Sequence, residues 1–233
     1  MDATSSTPDT GRRRLHWREL STLAGMDERQ LHAMATRRRF ARGEVVFHAG
    51  DPAGALHLLD RGRVAVRVAS PGGDVVTIDV LSPGDTFGEQ SLVDGVGERT
   101  ATVVALETVE TLALAPNSFR ALRAEHPAID QFLVAVLSDR LRSTSARLLD
   151  ALYLSAEDRV LRCLARLTPL YQVDRTVAIP LTQEMLASMA GTTRSTANRV
   201  LRQAERDGVV RIERSHMEVL DSGLLFRRAR LTK

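Results

Sequence analysis

The chain has a single cysteine, Cys163, among its 233 residues. One thiol excludes an internal disulfide and any cysteine-ligated cluster assembled within one chain. The six histidines are scattered, with no pair at metal-ligand spacing. Lysine is almost missing too: Lys233 is the only one, so nearly all positive charge is arginine. No stretch approaches the roughly 18 apolar residues that a membrane span needs. The opening segment, Met1 to Arg14, is polar and ends in Arg12, Arg13 and Arg14 with no apolar run behind them. It does not read as a secretory signal, so residues 1–16 are expected to be a disordered tail and the protein cytoplasmic, with no membrane partner. No nucleophile–base pair is visible, and no enzymatic activity is expected.

What is present is ordinary for a globular protein: 43% hydrophobic and 26% charged residues, with a net charge of +3. The charge is uneven. From Thr182 to Lys233 ten basic residues face six acidic ones, whereas the rest of the chain is close to neutral. A basic C-terminal segment suits a polyanion, although a solvated charged surface has the same composition.

Periodicity divides the chain into three. A helical segment, Trp17 to Arg38, comes first. From about residue 39 to 115, short apolar runs alternate with turns: 44–47, 55–59, 64–68, 75–80, 101–106 and 109–114, separated by Gly43, Gly50-Asp51-Pro52, Gly62, Pro71-Gly72-Gly73 and Pro83-Gly84-Asp85. That spacing suggests an all-β sandwich or barrel. A helix then starts at Pro116, and Pro127 opens a longer one reaching about Leu154. Along it Leu137, Leu141, Thr144, Leu148 and Ala151 recur at four- and three-residue steps, an a/d seam that argues for pairing with a second copy of the chain. The alternative is a helix buried against its own domain. Residues 156–170 read as a further helix.

The C-terminal region holds two short helices and a hairpin. Thr182 can cap the first, which Gly191 ends; Thr193 can cap the second, from Arg194 to about Asp207, which Gly208 closes. Residues 209–213 and 217–220 then flank a plausible wing. In the second helix Ala197, Val200, Leu201 and Ala204 form an inward stripe, leaving Arg194, Ser195, Asn198, Arg199 and Arg202 opposite. Two capped helices joined by a glycine turn, the second carrying arginines at its start, place side chains on base edges of double-stranded DNA. Arginine suits guanine because its fork matches two acceptors. Arg202, Arg206, Arg211 and Arg214 are better placed for phosphates. Thr182, Thr193 and Thr196 complete the candidate DNA-binding set.

The segment Phe87-Gly-Glu-Gln-Ser-Leu-Val-Asp-Gly-Val-Gly-Glu-Arg-Thr-Ala101 combines small residues with a carboxylate and an arginine–hydroxyl pair. Backbone N–H groups, arginine and hydroxyl suit a phosphate, and a carboxylate suits a sugar hydroxyl. On spacing alone, a Glu89–Arg99 ion pair across a loop fits equally well.

Over about residues 38–220 the sequence resembles the cyclic-AMP receptor protein (Crp/Fnr) family of bacterial transcription regulators. The resemblance lies in Arg39-Phe-Ala-Arg-Gly-Glu-Val-Val-Phe-His-Ala-Gly-Asp51 and Leu56-His-Leu-Leu-Asp-Arg-Gly-Arg-Val64, in Phe87–Ala101, and in the helix-turn-helix from Leu181 to Leu201. It implies an α+β chain: a cyclic-nucleotide-binding-like β-barrel of jelly-roll type over residues 17–126, a dimerisation helix over 127–154 and a winged helix-turn-helix over 155–233. It further implies that Gly88, Glu89, Gln90, Ser91, Arg99 and Thr100 form a ligand site. Gly88 would donate a backbone N–H, Glu89 would accept from a ribose hydroxyl, and Arg99 with Thr100 would hold a cyclic phosphate. Thr144 and Ser145 stand where the family's cyclic-AMP sensors read adenine from both subunits, which makes cyclic AMP the expected effector, with no covalent cofactor. A homodimer, and RNA polymerase as a partner, are implied as well.

Departures remain. Arg194 and Arg199 match the family's DNA-reading arginines, but Ser195 replaces the glutamate that would accept from cytosine N4. A ligand-independent or cyclic di-GMP-responsive regulator of the same fold is one alternative. A regulatory subunit of a nucleotide-gated kinase or acyltransferase is a remote one, with no stretch left over for a catalytic domain.

Overall fold

A computed structural model describes residues 18–231, apart from 24, 26, 91–96, 175 and 215. The expected tail, Trp17 and Ser91 thus lie outside the described residues. The chain divides into two compact units between Arg142 and Ser143.

The first unit begins with two short helices, α1 (Arg18–Leu23) and α2 (Glu28–Met34). A capping box fixes the start of α2: Asp27 accepts from the Gln30 N–H, and Gln30 accepts from that of Asp27. Eight strands follow: β1 (Thr36–Phe40), β2 (Val45–Phe47), β3 (Leu56–Arg61), β4 (Val64–Ala69), β5 (Val75–Leu81), β6 (Thr86–Phe87), β7 (Thr102–Ala105) and β8 (Val109–Leu114). They form two antiparallel sheets, ordered β1-β8-β3-β6 and β2-β7-β4-β5. The sheets are not joined into a closed cylinder, so the expected barrel is a jelly-roll sandwich.

Strand β3 explains the layering. Its first four residues are all buried because both faces are covered. Leu56 and Leu58 join Leu112 and Leu114 under α1, α2, α3 (Pro116–Glu125) and the start of α4 (Ala128–Tyr153), with Phe119, Ile129 and Phe132. On the other face Leu59 packs with Val64, Leu81, Phe87, Val103 and Val109 between the sheets. His57 shares that inner face, stacked on Phe87 at 4.9 Å and 2°.

One expectation fails here. The helical segment to Arg38 is in fact two helices broken around Gly25 (φ 62°), followed by β1. Residues 36–40 pair with β8 over five positions, and Arg37 binds Glu110 at 3.0 Å. This long-range pairing outweighs the local helical pattern.

The second unit holds the rest of α4, then α5 (Ala156–Tyr171), β9 (Gln172–Val173), β10 (Thr176–Ile179), α6 (Gln183–Met189), α7 (Arg194–Arg206), β11 (Val210–Ile212), β12 (Met217–Val219) and α8 (Ser222–Arg228). The wing strands continue into a four-stranded sheet, β11-β12-β10-β9. Neither β9, β10 nor α8 was evident in the sequence. Arginines of α5 fasten the unit. Arg159 donates to the carbonyls of Leu154, Ala190 and Gly191. Arg162 donates to Asp150 of α4 at 2.6 Å and to the carbonyls of Ala229 and Arg230, while Arg166 also binds Asp150.

Two stability measurements follow. Asp150 is buried, and its removal leaves two arginines without their acceptor. Asp150→Ala should cost about 2 kcal/mol in urea unfolding, below the range for a fully buried pair because both arginines are partly solvated; a cost near zero would contradict the fastening role. His57, whose Nδ1 lies 3.1 Å from Thr111 Oγ1, is held down to a pKa of about 4 by burial and by the charges of Arg99 and Arg38. The unfolded chain takes up this proton near pH 6.5 and the folded one does not, so stability is intact above pH 6.5 and falls as pH drops towards 4. Between pH 7 and 4.5, wild type should lose roughly 2 kcal/mol more than His57→Phe; parallel profiles would contradict this.

Candidate functional site

The end of β6 and the residues leading into β7 frame a charged site in the first unit. Gly88, directly after β6, has φ 85°, and a Cβ there would meet Arg99 Nη1 at 2.5 Å and the Ala55 carbonyl oxygen at 3.0 Å. Only glycine allows both the turn and the close approach. Arg99 is 6% exposed. It donates to the carbonyls of Gly88 at 2.9 Å and Ala55 at 2.8 Å, and lies 4.1 Å from the centre of the Phe47 ring. Burial draws its pKa below the ordinary arginine value, while Glu89 and Asp51 oppose that shift. A fixed arginine in so dry a place is a strong attractor for an anion.

Glu89 is fully buried. Its Oε1 accepts from Arg140 of α4, which also donates to the Thr86 carbonyl. Among the described residues its Oε2 has no hydrogen-bond partner. The ion pair left open by the sequence is therefore Glu89–Arg140 rather than Glu89–Arg99. Sequence reasoning missed Arg140, one of six charged residues along α4 that no spacing singles out. An unanswered buried carboxylate oxygen costs about 1–3 kcal/mol, and a ligand hydroxyl would satisfy it. Thr100 Oγ1 donates to Gln90 Oε1 at 2.7 Å, both residues being exposed.

Of the expected ligand residues, Gly88, Glu89 and Arg99 thus come together, and Gln90 meets Thr100. Thr144 and Ser145 are exposed on α4 and belong to the second unit. No group of three metal-ligating side chains occurs among the described residues, and none of their helices is long and apolar enough to cross a membrane.

The second unit builds the other surface. Thr182 Oγ1 accepts from the Met185 N–H at 3.1 Å and Thr193 Oγ1 from the Thr196 N–H at 3.2 Å, which caps α6 and α7. Ala197, Val200, Leu201 and Ala204 are buried, as the spacing requires. Arg194, Ser195, Arg199 and Arg202 are exposed on the opposite side, and Thr196 and Asn198 are half-buried. The Thr193 hydroxyl also lies 2.9 Å from that of Ser195 and 3.0 Å from that of Thr196. Arg202 binds Glu205 at 2.8 Å, and Glu205 accepts from the Ile212 N–H, tying α7 to the wing. The Ile212 N–H and Arg202 together hold the Glu205 carboxyl below its usual range. Arg211 pairs with Glu218 on the wing itself. Arg194 and Arg199 are left facing solvent from the start of a capped helix.

Comparison with known proteins agrees with both surfaces. Residues 37–126 match the cyclic nucleotide-binding domain and residues 158–228 the Crp-like helix-turn-helix domain. The chain is 36% identical to the cyclic AMP receptor protein of Thermus thermophilus over 81% of its own length and 86% of the relative's. It is 31% identical to a CRP-like cAMP-activated global transcriptional regulator of Mycobacterium tuberculosis, covering 82% and 87%. The fold is also that of the c-di-GMP-responsive global regulator CLP of Xanthomonas campestris, with a TM-score of 0.70 at 22% identity, over 83% of this chain and 97% of that one. With a nucleotide-binding sandwich ahead of a capped, arginine-faced reading helix, the chain belongs to the Crp/Fnr family of DNA-binding transcription regulators.

Proposed function

We propose that this regulator works as a homodimer whose DNA binding is controlled by cyclic AMP. The observation that carries the reading is the buried Glu89 carboxylate, with one oxygen unanswered, in the same pocket as the enclosed cation of Arg99. Arg99 would hold the cyclic phosphate, with Thr100, Gln90 and Ser91 at the rim and Gly88 supplying its backbone N–H. Glu89 Oε2 would accept from the ribose hydroxyl. Thr144 and Ser145 would read the adenine amino group across the dimer, which favours cyclic AMP over other cyclic nucleotides. Two relatives named for cyclic AMP, at 36% and 31% identity, support the same choice.

The dimer reading rests on α4. Leu141, Leu148 and Leu152 are 68%, 59% and 65% exposed in the single chain, and the first two are seam positions. Apolar residues at heptad spacing and this exposed are suited to a second copy of the same helix. Residues 17–126, 127–154 and 155–233 would then sense, dimerise and bind DNA in turn. Arg194, Ser195, Asn198, Arg199 and Arg202 would face the major groove of two half-sites about 34 Å apart. Thr182, Thr193 and Thr196 would hold the helix ends near the phosphates. RNA polymerase in the bacterial cytoplasm would be the downstream partner.

The Glu89–Arg140 pair favours a second reading, in which Arg140 neutralises Glu89 from within the chain and the regulator needs no ligand. Isothermal titration with cyclic AMP, cyclic GMP and cyclic di-GMP separates the two. Saturable cyclic-AMP binding is expected, weakened at least about tenfold by Arg99→Ala in a protein that stays folded, since a charge-assisted hydrogen bond is worth about 1.5–3 kcal/mol. Unchanged affinity in that variant would remove the phosphate role, and no heat with any nucleotide would favour the ligand-independent reading. Leu148→Glu should shift the protein from dimer to monomer in sedimentation equilibrium; an unaltered dimer would contradict the seam.

A further inference from the structure

Ser195 carries only a short hydroxyl, and one turn along the same helix stands a carboxamide, Asn198. Asn198 lies in the second turn of α7, four residues after Arg194, three after Ser195 and four before Arg202. Those spacings put it on the same flank of the helix as all three. Its side chain is not loose. Nδ2 donates to Oε1 of Gln183, the first residue of α6, at 2.6 Å. The contact is a direct side-chain hydrogen bond between the two helices. Asn198 is half-buried, whereas Arg194, Ser195 and Arg202 are exposed.

The chemistry of the pair is specific. A carboxamide has one carbonyl acceptor and two N–H donors. Gln183 takes one N–H, which leaves Asn198 with one donor and one acceptor in a fixed plane. That combination complements adenine, whose major-groove edge has an N7 acceptor and an N6 donor; guanine offers two acceptors and rejects it. The link to Gln183 also restrains a side chain that would otherwise lose rotamer freedom on binding.

We propose that Gln183 is a positioning residue that presents the Asn198 amide to an A·T pair, so that each half-site contains an adenine beside the guanines read by Arg194 and Arg199. The inference deepens the DNA-reading role assigned to α7 and rests on it. It would supply a discriminating contact one turn along the helix from Ser195.

The test is selection from a randomised double-stranded DNA pool, with and without cyclic AMP, followed by sequencing. Wild type, Asn198→Ala, Gln183→Met, Gln183→Glu and Arg199→Ala are compared. In wild type an A·T position should be preferred about tenfold or more in each half-site, the discrimination expected of a bidentate amide. Asn198→Ala should flatten that position and leave the G·C positions intact. Gln183→Met, which has the length but no acceptor, should weaken the same preference severalfold. Gln183→Glu keeps an acceptor and should retain it. A purely structural brace would instead lower binding evenly across all sequences. The proposal is overturned if Asn198→Ala selects the same sequences as wild type, or if Gln183→Met leaves the adenine preference untouched. Loss of a G·C position in Arg199→Ala, with no change in Asn198→Ala, would sink this inference alone. No change in either variant would sink the base-reading role of α7 as well.

Discussion

A carboxylate with no access to water must be answered by charge and hydrogen bonds, and at Glu89 the answer comes from another element. Ionised groups cost several kcal/mol to bury, and only good partners offset that cost. Arg140 supplies one partner from α4, in the same stroke closing on the Thr86 carbonyl at the start of β6. Oε2 remains for a donor that the described residues do not provide. The pocket is thus bolted to the helix that carries the exposed leucine seam. Under the proposed function, a ligand that satisfies Oε2 would change the electrostatic balance around Arg140, and with it the preferred setting of α4. Such an effector shifts the equilibrium only by its differential affinity for the two settings, and a half-satisfied buried carboxylate is a natural source of that difference.

Arginine does the fastening elsewhere as well, which gives the scarcity of lysine a structural consequence. Arg99, Arg140, Arg159 and Arg162 each donate to two or three separate acceptors, mostly main-chain carbonyls. A planar fork with five donors spans such separated acceptors in one orientation, whereas an ammonium offers three donors from a single nitrogen. At Arg159 the fork secures the end of α6 and the glycine turn, so the geometry that presents α7 depends on one residue of α5. At Arg162 it gathers α4, α5 and the C-terminal end of α8.

Much of this was legible in the sequence because it is periodic or locally capped. Six strands followed from alternation and turn residues, and the buried stripe of α7 followed from its three- and four-residue spacing. The threonine caps were visible in the residues themselves. What escaped is non-local. Strand β1 looks like a helix tail rich in arginine until β8 is available to pair with it. Arg140 sits 51 residues from Glu89, and no spacing rule connects them. The same holds for Gln183 and Asn198, which meet only because the turn folds α6 against α7. Strands β9 and β10 and helix α8 were missed for a related reason: each is short, β10 leans on the wing and α5, α8 on α5, and β9 pairs with β10.

The most direct test of the central claim is the affinity for a selected operator, measured by fluorescence anisotropy across a titration of cyclic AMP. Coupling between pocket and reading helix requires DNA affinity to rise at least about fivefold, and nucleotide affinity to rise by the same factor once DNA is bound, because linkage is reciprocal. Equal operator affinity with and without saturating cyclic AMP would show that the pocket does not control DNA binding.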